Sequence, residues 1–69
     1  MDRVPVTSSN VTEVGYDAST MTLEVAFKNG TVYQYFDVPE SVYQELLRAG
    51  SIGTFLNEQI KNSYRCAKL

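Results

Sequence analysis

The stretch Leu23-Glu-Val-Ala-Phe-Lys-Asn-Gly-Thr-Val-Tyr-Gln-Tyr-Phe-Asp-Val-Pro39 constrains this chain more than any other. Leu23, Val25 and Phe27 alternate with Glu24, Ala26 and Lys28, the period of a strand with one buried face. Asn29-Gly30 follows, a strong hairpin signal because both residues tolerate positive φ. The returning strand, Thr31 to Phe36, places Val32, Tyr33, Tyr35 and Phe36 on both of its faces. One face packs on the rest of the chain, and the other is expected to leave aromatic surface without a partner.

Hairpin register decides which residues those are. With Asn29-Gly30 as a two-residue loop, Ala26 pairs with Tyr33, and the tyrosines stand on the face opposite Leu23, Val25 and Phe27. With a loop of Lys28-Asn29-Gly30 and a bulge at the glycine, Val25 pairs with Tyr33 and Leu23 with Tyr35. The tyrosines then join the edge of the core, and Val32 and Phe36 take the other face as an oligomer contact. A one-residue slip moves every side chain across the sheet. The bulged register is favoured, because the alternative places Gln34 in the core. That makes the tyrosines rim-of-core residues ahead of an open platform for base stacking.

In chain order, residues 1–10 read as a flexible N-terminal arm and residues 11–69 as a single domain. Val11 to Tyr16 is a first strand, Asp17 to Thr20 a turn, and Met21 to Lys28 with Thr31 to Phe36 complete an antiparallel meander. Asp37 is placed to cap a first helix, with Pro39 in its first turn and Val42, Leu46 and Ala49 as its inner stripe, widened by Tyr43 and Leu47. Gly50 is a stop, and Ser51 caps a second helix with a stripe of Ile52, Phe55, Leu56, Ile60, Tyr64 and Ala67. The expected fold is α+β, a three-stranded antiparallel β-meander followed by two short helices packed on one face.

Several function classes are excluded. The chain has 69 residues, no His, no Trp and one cysteine, Cys66. A lone thiol without an imidazole to deprotonate it or a second thiol to resolve it is a poor nucleophile and no metal site, so neither catalysis, a cofactor nor a metal is expected. The lone thiol also fits a reducing compartment, and with no signal-like amino terminus the expected location is cytoplasmic. A net charge of −2 argues against non-specific binding of long nucleic acid. So small a core makes a homo-oligomer an attractive way to bury remaining apolar surface.

Three groups of residues are candidates for binding. Tyr33 and Tyr35 are candidate stacking rings. Ser51, Gly53 and Asn57 lie at a helix start, where free amides hold phosphate, although plain capping by Ser51 and close packing at Gly53 carry more weight. Lys61, Arg65 and Lys68, spaced four and three apart, form one basic stripe on the second helix, to which Arg48 adds from the preceding helix. Such a stripe contacts phosphates, but a solvated face complementing the helix dipole is the plainer account.

Tyr16-Asp17, the Leu23-x-Val25-x-Phe27-x-x-Gly30-x-x-Tyr33-x-Tyr35 run, Val38-Pro39 and Ala49-x-Ser51-x-Gly53-x-x-x-Asn57 together resemble the KTSC domain family. That family is named for its place at the carboxyl end of some lysyl-tRNA synthetases and also occurs as stand-alone bacterial and phage proteins. The similarity spans Ser8 to Tyr64, and Tyr33-x-Tyr35 is its centre. The resemblance implies an RNA-binding role, carried here by a small non-catalytic module for a nucleotide or RNA. Its occurrence in phage implies one concrete version, sequestration of a nucleotide signal of host immunity. The alternative is a protein–protein interaction or oligomerisation domain without a nucleic-acid ligand.

Overall fold

A computed structural model describes all residues, Met1–Leu69. Its sheet has five antiparallel strands in sequential order: β1 (Arg3–Pro5), β2 (Val11–Asp17), β3 (Thr22–Phe27), β4 (Val32–Tyr35) and β5 (Cys66–Lys68). Between β4 and β5 lie helix α1 (Glu40–Arg48) and helix α2 (Ile52–Phe55), which runs on as a π-helical turn over Leu56–Ile60. The α+β class, the central meander and the two helices on one face agree with the expectation. The count of three strands does not, because each end of the chain contributes a short strand.

The amino-terminal arm contains β1, paired with β2 through Arg3↔Gly15, Val4↔Val14 and Pro5↔Glu13. Polar composition hid it, since its anchor is a side chain rather than an apolar face. At the other end the second helix stops at Ile60, and Cys66–Lys68 pairs with β4 through Tyr35↔Cys66 and Tyr33↔Lys68. Tyr64 and Ala67 are therefore not helical. Lys61, Arg65 and Lys68 do not share a helix face either, lying on a turn, before β5 and within β5. Unpaired backbone on the outer edge of β4 wins over helix periodicity here, because a buried strand edge must find partners.

The β3–β4 hairpin adopts the bulged register, with Val25↔Tyr33 and Leu23↔Tyr35. Gly30 has φ of 90°, its N–H donates to the Phe27 carbonyl at 3.0 Å, and the Phe27 N–H donates to Thr31 at 2.8 Å. A type I turn closed by a left-handed glycine produces this geometry.

The core lies between the sheet and the helices: Val11, Val14, Leu23, Val25 and Tyr35 from the strands meet Leu46, Ile52, Leu56 and Ile60. Val38 joins them from the connection into α1. Asp37 does not cap that helix. It takes φ of 59°, Pro39 occupies the N-cap position without a side-chain hydrogen bond, and the Asp37 carboxylate instead accepts from Arg65 at 3.1 Å.

The opposite face of the sheet is not an aromatic platform. Arg3 lies over Gly15 and donates to Glu13 at 3.2 Å and to Glu24 at 2.8 Å, while Gln34 donates to the other Glu24 oxygen at 2.9 Å. Val32 and Phe36 share that face and are half-buried, with the Arg65 guanidinium over the Phe36 ring at 5.8 Å.

Candidate functional site

The bulged hairpin turns Tyr33 and Tyr35 toward the helices at the end of the sheet where β3, β4 and β5 meet the π-helical turn. A cleft of about 370 Å³ opens there. Leu56 and Tyr35 form its floor, both buried, and the half-buried rings of Phe27 and Tyr33 form one wall. Gly53, Asn57 and Lys61 form the other, and Asn10, Asn62 and Cys66 complete the rim.

Each wall follows from local structure. Phe27 and Tyr33 meet edge to face, with centroids 5.9 Å apart and planes at 88°, a favourable arrangement that fixes the Tyr33 ring. Tyr35 lies 6.3 Å from Tyr33 and tilted by 30°. On the helical side the Lys61 N–H donates to the Leu56 carbonyl at 2.8 Å, a five-residue step that stacks Lys61 over Leu56. Asn10 lies over Gly53, its amide nitrogen at ordinary contact distance, 3.7 Å, from where a Cβ would stand. Asn10 is held in turn by its carbonyl, which accepts from the Lys28 N–H at 2.8 Å.

The polar groups of this cleft are uncommitted. None of the protein's side-chain hydrogen bonds or ion pairs uses the phenols of Tyr33 and Tyr35, the amides of Asn10, Asn57 and Asn62, or the Lys61 ammonium. No carboxylate lines it. Burial, then the neighbouring Cys66 and Tyr33, hold the Tyr35 phenol above its ordinary value, so it enters the cleft as a neutral hydroxyl. Together these offer aromatic faces, neutral donors and acceptors, and one cation.

Five of the residues singled out from the sequence converge here: Tyr33, Tyr35, Gly53, Asn57 and Lys61. Two do not. Ser51 caps α2, its hydroxyl oxygen accepting from the Thr54 N–H at 3.2 Å and donating to the Thr54 hydroxyl at 3.0 Å. Arg65 leaves toward Asp37 and Phe36. Sequence reasoning missed Asn10, Asn62 and Cys66, which reach the rim through loop and strand placement. It read Phe27 and Leu56 as core alone.

The KTSC domain model matches residues 7–64 of this chain. The chain belongs to the KTSC domain family. A protein of Tsukamurella paurometabola is 38% identical over 65 residues, covering 94% of this chain and 97% of its own length. One from Stutzerimonas stutzeri is 43% identical over 61 residues, 88% of this chain and 86% of that protein. The crystal structure of a KTSC domain protein from Yersinia pestis superposes with a TM-score of 0.95 at 38% identity, over 99% of this chain and 96% of that one. Lysine–tRNA ligase of Nostoc punctiforme is 38% identical over 61 residues, and there the match covers 88% of this chain but 11% of the ligase. KTSC domains thus occur both nearly alone and as a small part of a large enzyme.

Proposed function

We propose that this KTSC domain is a non-catalytic binding module that holds a nucleotide or a segment of RNA in the cleft between β4 and the π-helical turn. One observation carries the reading: the Phe27 and Tyr33 rings stand beside the buried Tyr35, whose hydroxyl has no partner within the protein, and beside the exposed side chains of Asn10, Asn57, Asn62 and Lys61. A buried polar group is ordinarily paired, which singles out the Tyr35 hydroxyl, and a cleft with apolar walls and a few convergent polar groups is the usual form of a ligand site. The base lies against Tyr33, braced by Phe27. Tyr35, Asn57 and Asn10 supply hydrogen bonds, and Lys61 meets a phosphate. Ser51 and Arg65 have no part in this contact.

The cleft's chemistry supports a non-catalytic role, since phenols, amides and one ammonium surround the thiol and no imidazole or carboxylate acts as a base. The similar region in a lysine–tRNA ligase, an enzyme of tRNA by name, suits an RNA contact. The stand-alone form suits retention of a small nucleotide, including a cyclic signal of host immunity. The exposed reduced thiol fits a cytoplasmic setting.

Calorimetry with mononucleotides, cyclic nucleotides and short single-stranded RNA tests the reading. Binding is expected to weaken by about 1–3 kcal/mol in Tyr33→Ala, the range for loss of one base–aromatic stack, and to survive in Tyr33→Phe. No heat from any of these at high protein concentration overturns it.

A second reading, self-association, draws on a shallow apolar depression on the far side, lined by Pro5, Val6, Leu47 and Ile52, with Val4 and Leu47 exposed. Size exclusion over a concentration series tests it, and an unchanging monomer overturns it.

A further inference from the structure

All three lysines of this acidic chain, Lys28, Lys61 and Lys68, border the Phe27–Tyr33 pair. Lys61 stands in the cleft described above. Across the Tyr33 ring a shallower depression is bounded by Phe27, Asn29, Thr31, Tyr33 and Lys68. A further one, between Phe27 and Asn10, is bounded by Lys28 and Asn29. Each of the three holds one lysine and no carboxylate, and none of these lysines forms an ion pair.

The chain carries eight carboxylates against six cations, so the segregation is uneven. Arg3 and Arg65 are the cations drawn into ion pairs, Arg3 with Glu13 and Glu24 and Arg65 with Asp37, and neither lines these depressions. Unpaired cations placed on two or three sides of an aromatic ridge repel one another and offer no stability in return. Placed in separate depressions around Phe27, they suit an anion with more than one charge centre, passing over the ridge.

We propose that the ligand is at least two nucleotides joined by a phosphodiester. One base stacks on Tyr33 within the cleft, with its phosphate toward Lys61, and the adjoining phosphate is met outside the cleft by Lys68 or Lys28. This deepens the nucleotide reading and rests on it. A mononucleotide fills the cleft alone and leaves the outer lysines idle. A duplex has no unstacked base to offer the ridge. Linear single-stranded RNA and a cyclic dinucleotide present the same phosphodiester-linked chemistry.

The test compares a 5′-mononucleotide, a linear dinucleotide, a linear tetranucleotide and a cyclic dinucleotide by calorimetry at several salt concentrations. A phosphodiester-linked ligand is expected to bind at least about tenfold more tightly than the mononucleotide, with a steeper salt dependence. Lys68→Ala and Lys28→Ala are expected to weaken it about threefold or more between them and to flatten the salt slope by about 0.7 per phosphate contact removed. Mononucleotide affinity stays unchanged in both variants, and Arg48→Ala, with the same loss of charge on α1, changes neither. A tetranucleotide outranking the cyclic ligand identifies RNA as the source, and the reverse ranking identifies a compact signal. Equal affinity for one and two nucleotides overturns the inference while leaving the nucleotide reading in place. Silence from every ligand, the mononucleotide included, overturns both.

Discussion

On the face of the sheet away from the helices, Arg3 reaches over Gly15 to two carboxylates, and Gln34 closes the row on Glu24. On the face beneath the helices, two phenols, three amides and an ammonium gather around one cleft with no partner among them. Five strands serve both faces, so backbone geometry does not explain the contrast. What differs is where the polar atoms end. Those of the outer face are saturated from within the chain and turn the amino-terminal arm into a strand. Those of the cleft are left available to water or a ligand. The lesson is that polar residues on a sheet mean structure or recognition according to whether their partners are already present.

The largest effect separating the two faces is expected from Arg3→Met. It leaves Glu24, whose side chain is 9% exposed, with Gln34 as its remaining partner, and it releases β1. Breaking a fully buried ion pair costs about 3–5 kcal/mol, and because Arg3 is partly open to water the expected loss is about 2–3 kcal/mol in urea unfolding. Ligand affinity at the cleft stays unchanged. A loss below about 0.5 kcal/mol, the level of an ordinary surface substitution, means the outer network does not anchor the arm.

Next is Gly15→Ala. An added Cβ would stand 2.7 Å from the Asp2 carbonyl oxygen and 2.9 Å from Arg3 Cγ. The side chain can give way, but the carbonyl belongs to the backbone entering β1, so the strand itself must shift. Overpacking of this kind costs about 1–3 kcal/mol. Accelerated amide exchange confined to residues 3–6 would show that the damage is to β1, and unaltered exchange there would refute the account.

The contrast between faces was only partly legible in the sequence. The hairpin was, because Asn29-Gly30 and the cost of burying Gln34 selected the bulged register, and that choice alone sends Tyr33 and Tyr35 to the cleft. Both helices were legible from their apolar spacing through Ile60. The end strands were not. β1 has a single apolar side chain on the helix side of the sheet, Val4, which stays exposed, and it depends on the long-range pair of Arg3 with Glu24, which no local pattern records. β5 carries the sequence of a helix end, and it pairs because β4 has an open edge. Within the site, Gly53 and Asn57 were found from the helix and Lys61 from a stripe that the structure dissolves, while Asn62 reaches the rim on the turn after Ile60 and Cys66 through β5. On the outer face Phe36 lies half-buried under the Arg65 guanidinium, and the arm's Arg3 covers the row over Gly15 and Glu24.

Two tyrosines on the helix-covered side repeat the contrast on a smaller scale. The Tyr16 hydroxyl donates to the Val38 carbonyl, and its ring stacks on Tyr43 with centroids 5.1 Å apart and planes at 13°. Tyr16→Phe is expected to cost about 1 kcal/mol, the ordinary worth of such a bond. Burial, with Glu40 and Asp17 nearby, raises the Tyr16 phenol above its usual value, and burial raises those of Tyr35 and Tyr43. The folded state therefore holds these protons more tightly than the unfolded chain. Their contribution is intact below the ordinary tyrosine value of about 10 and is lost as pH rises through the elevated folded values. Stability measured from pH 9 upward should fall, and less steeply in Tyr16→Phe.

The smallest expected change in stability belongs to Tyr35→Phe, and it is the sharpest test of the comparison. Tyr35 is 5% exposed, more buried than Tyr16, so by burial alone its hydroxyl should matter more to folding. It accepts and donates nothing within the protein, and no buried polar side-chain atom is left stranded, which places the oxygen at the mouth of the floor where water or a ligand reaches it. Removing it breaks no internal bond and leaves no partner orphaned, so stability is expected to stay within about 0.5 kcal/mol of the parent. Binding is expected to weaken by about 0.5–1.5 kcal/mol, the net worth of one hydrogen bond to the ligand. Destabilisation equal to that of Tyr16→Phe, with affinity untouched, would put Tyr35 on the structural side of the contrast and leave the floor of the cleft without a recognition group.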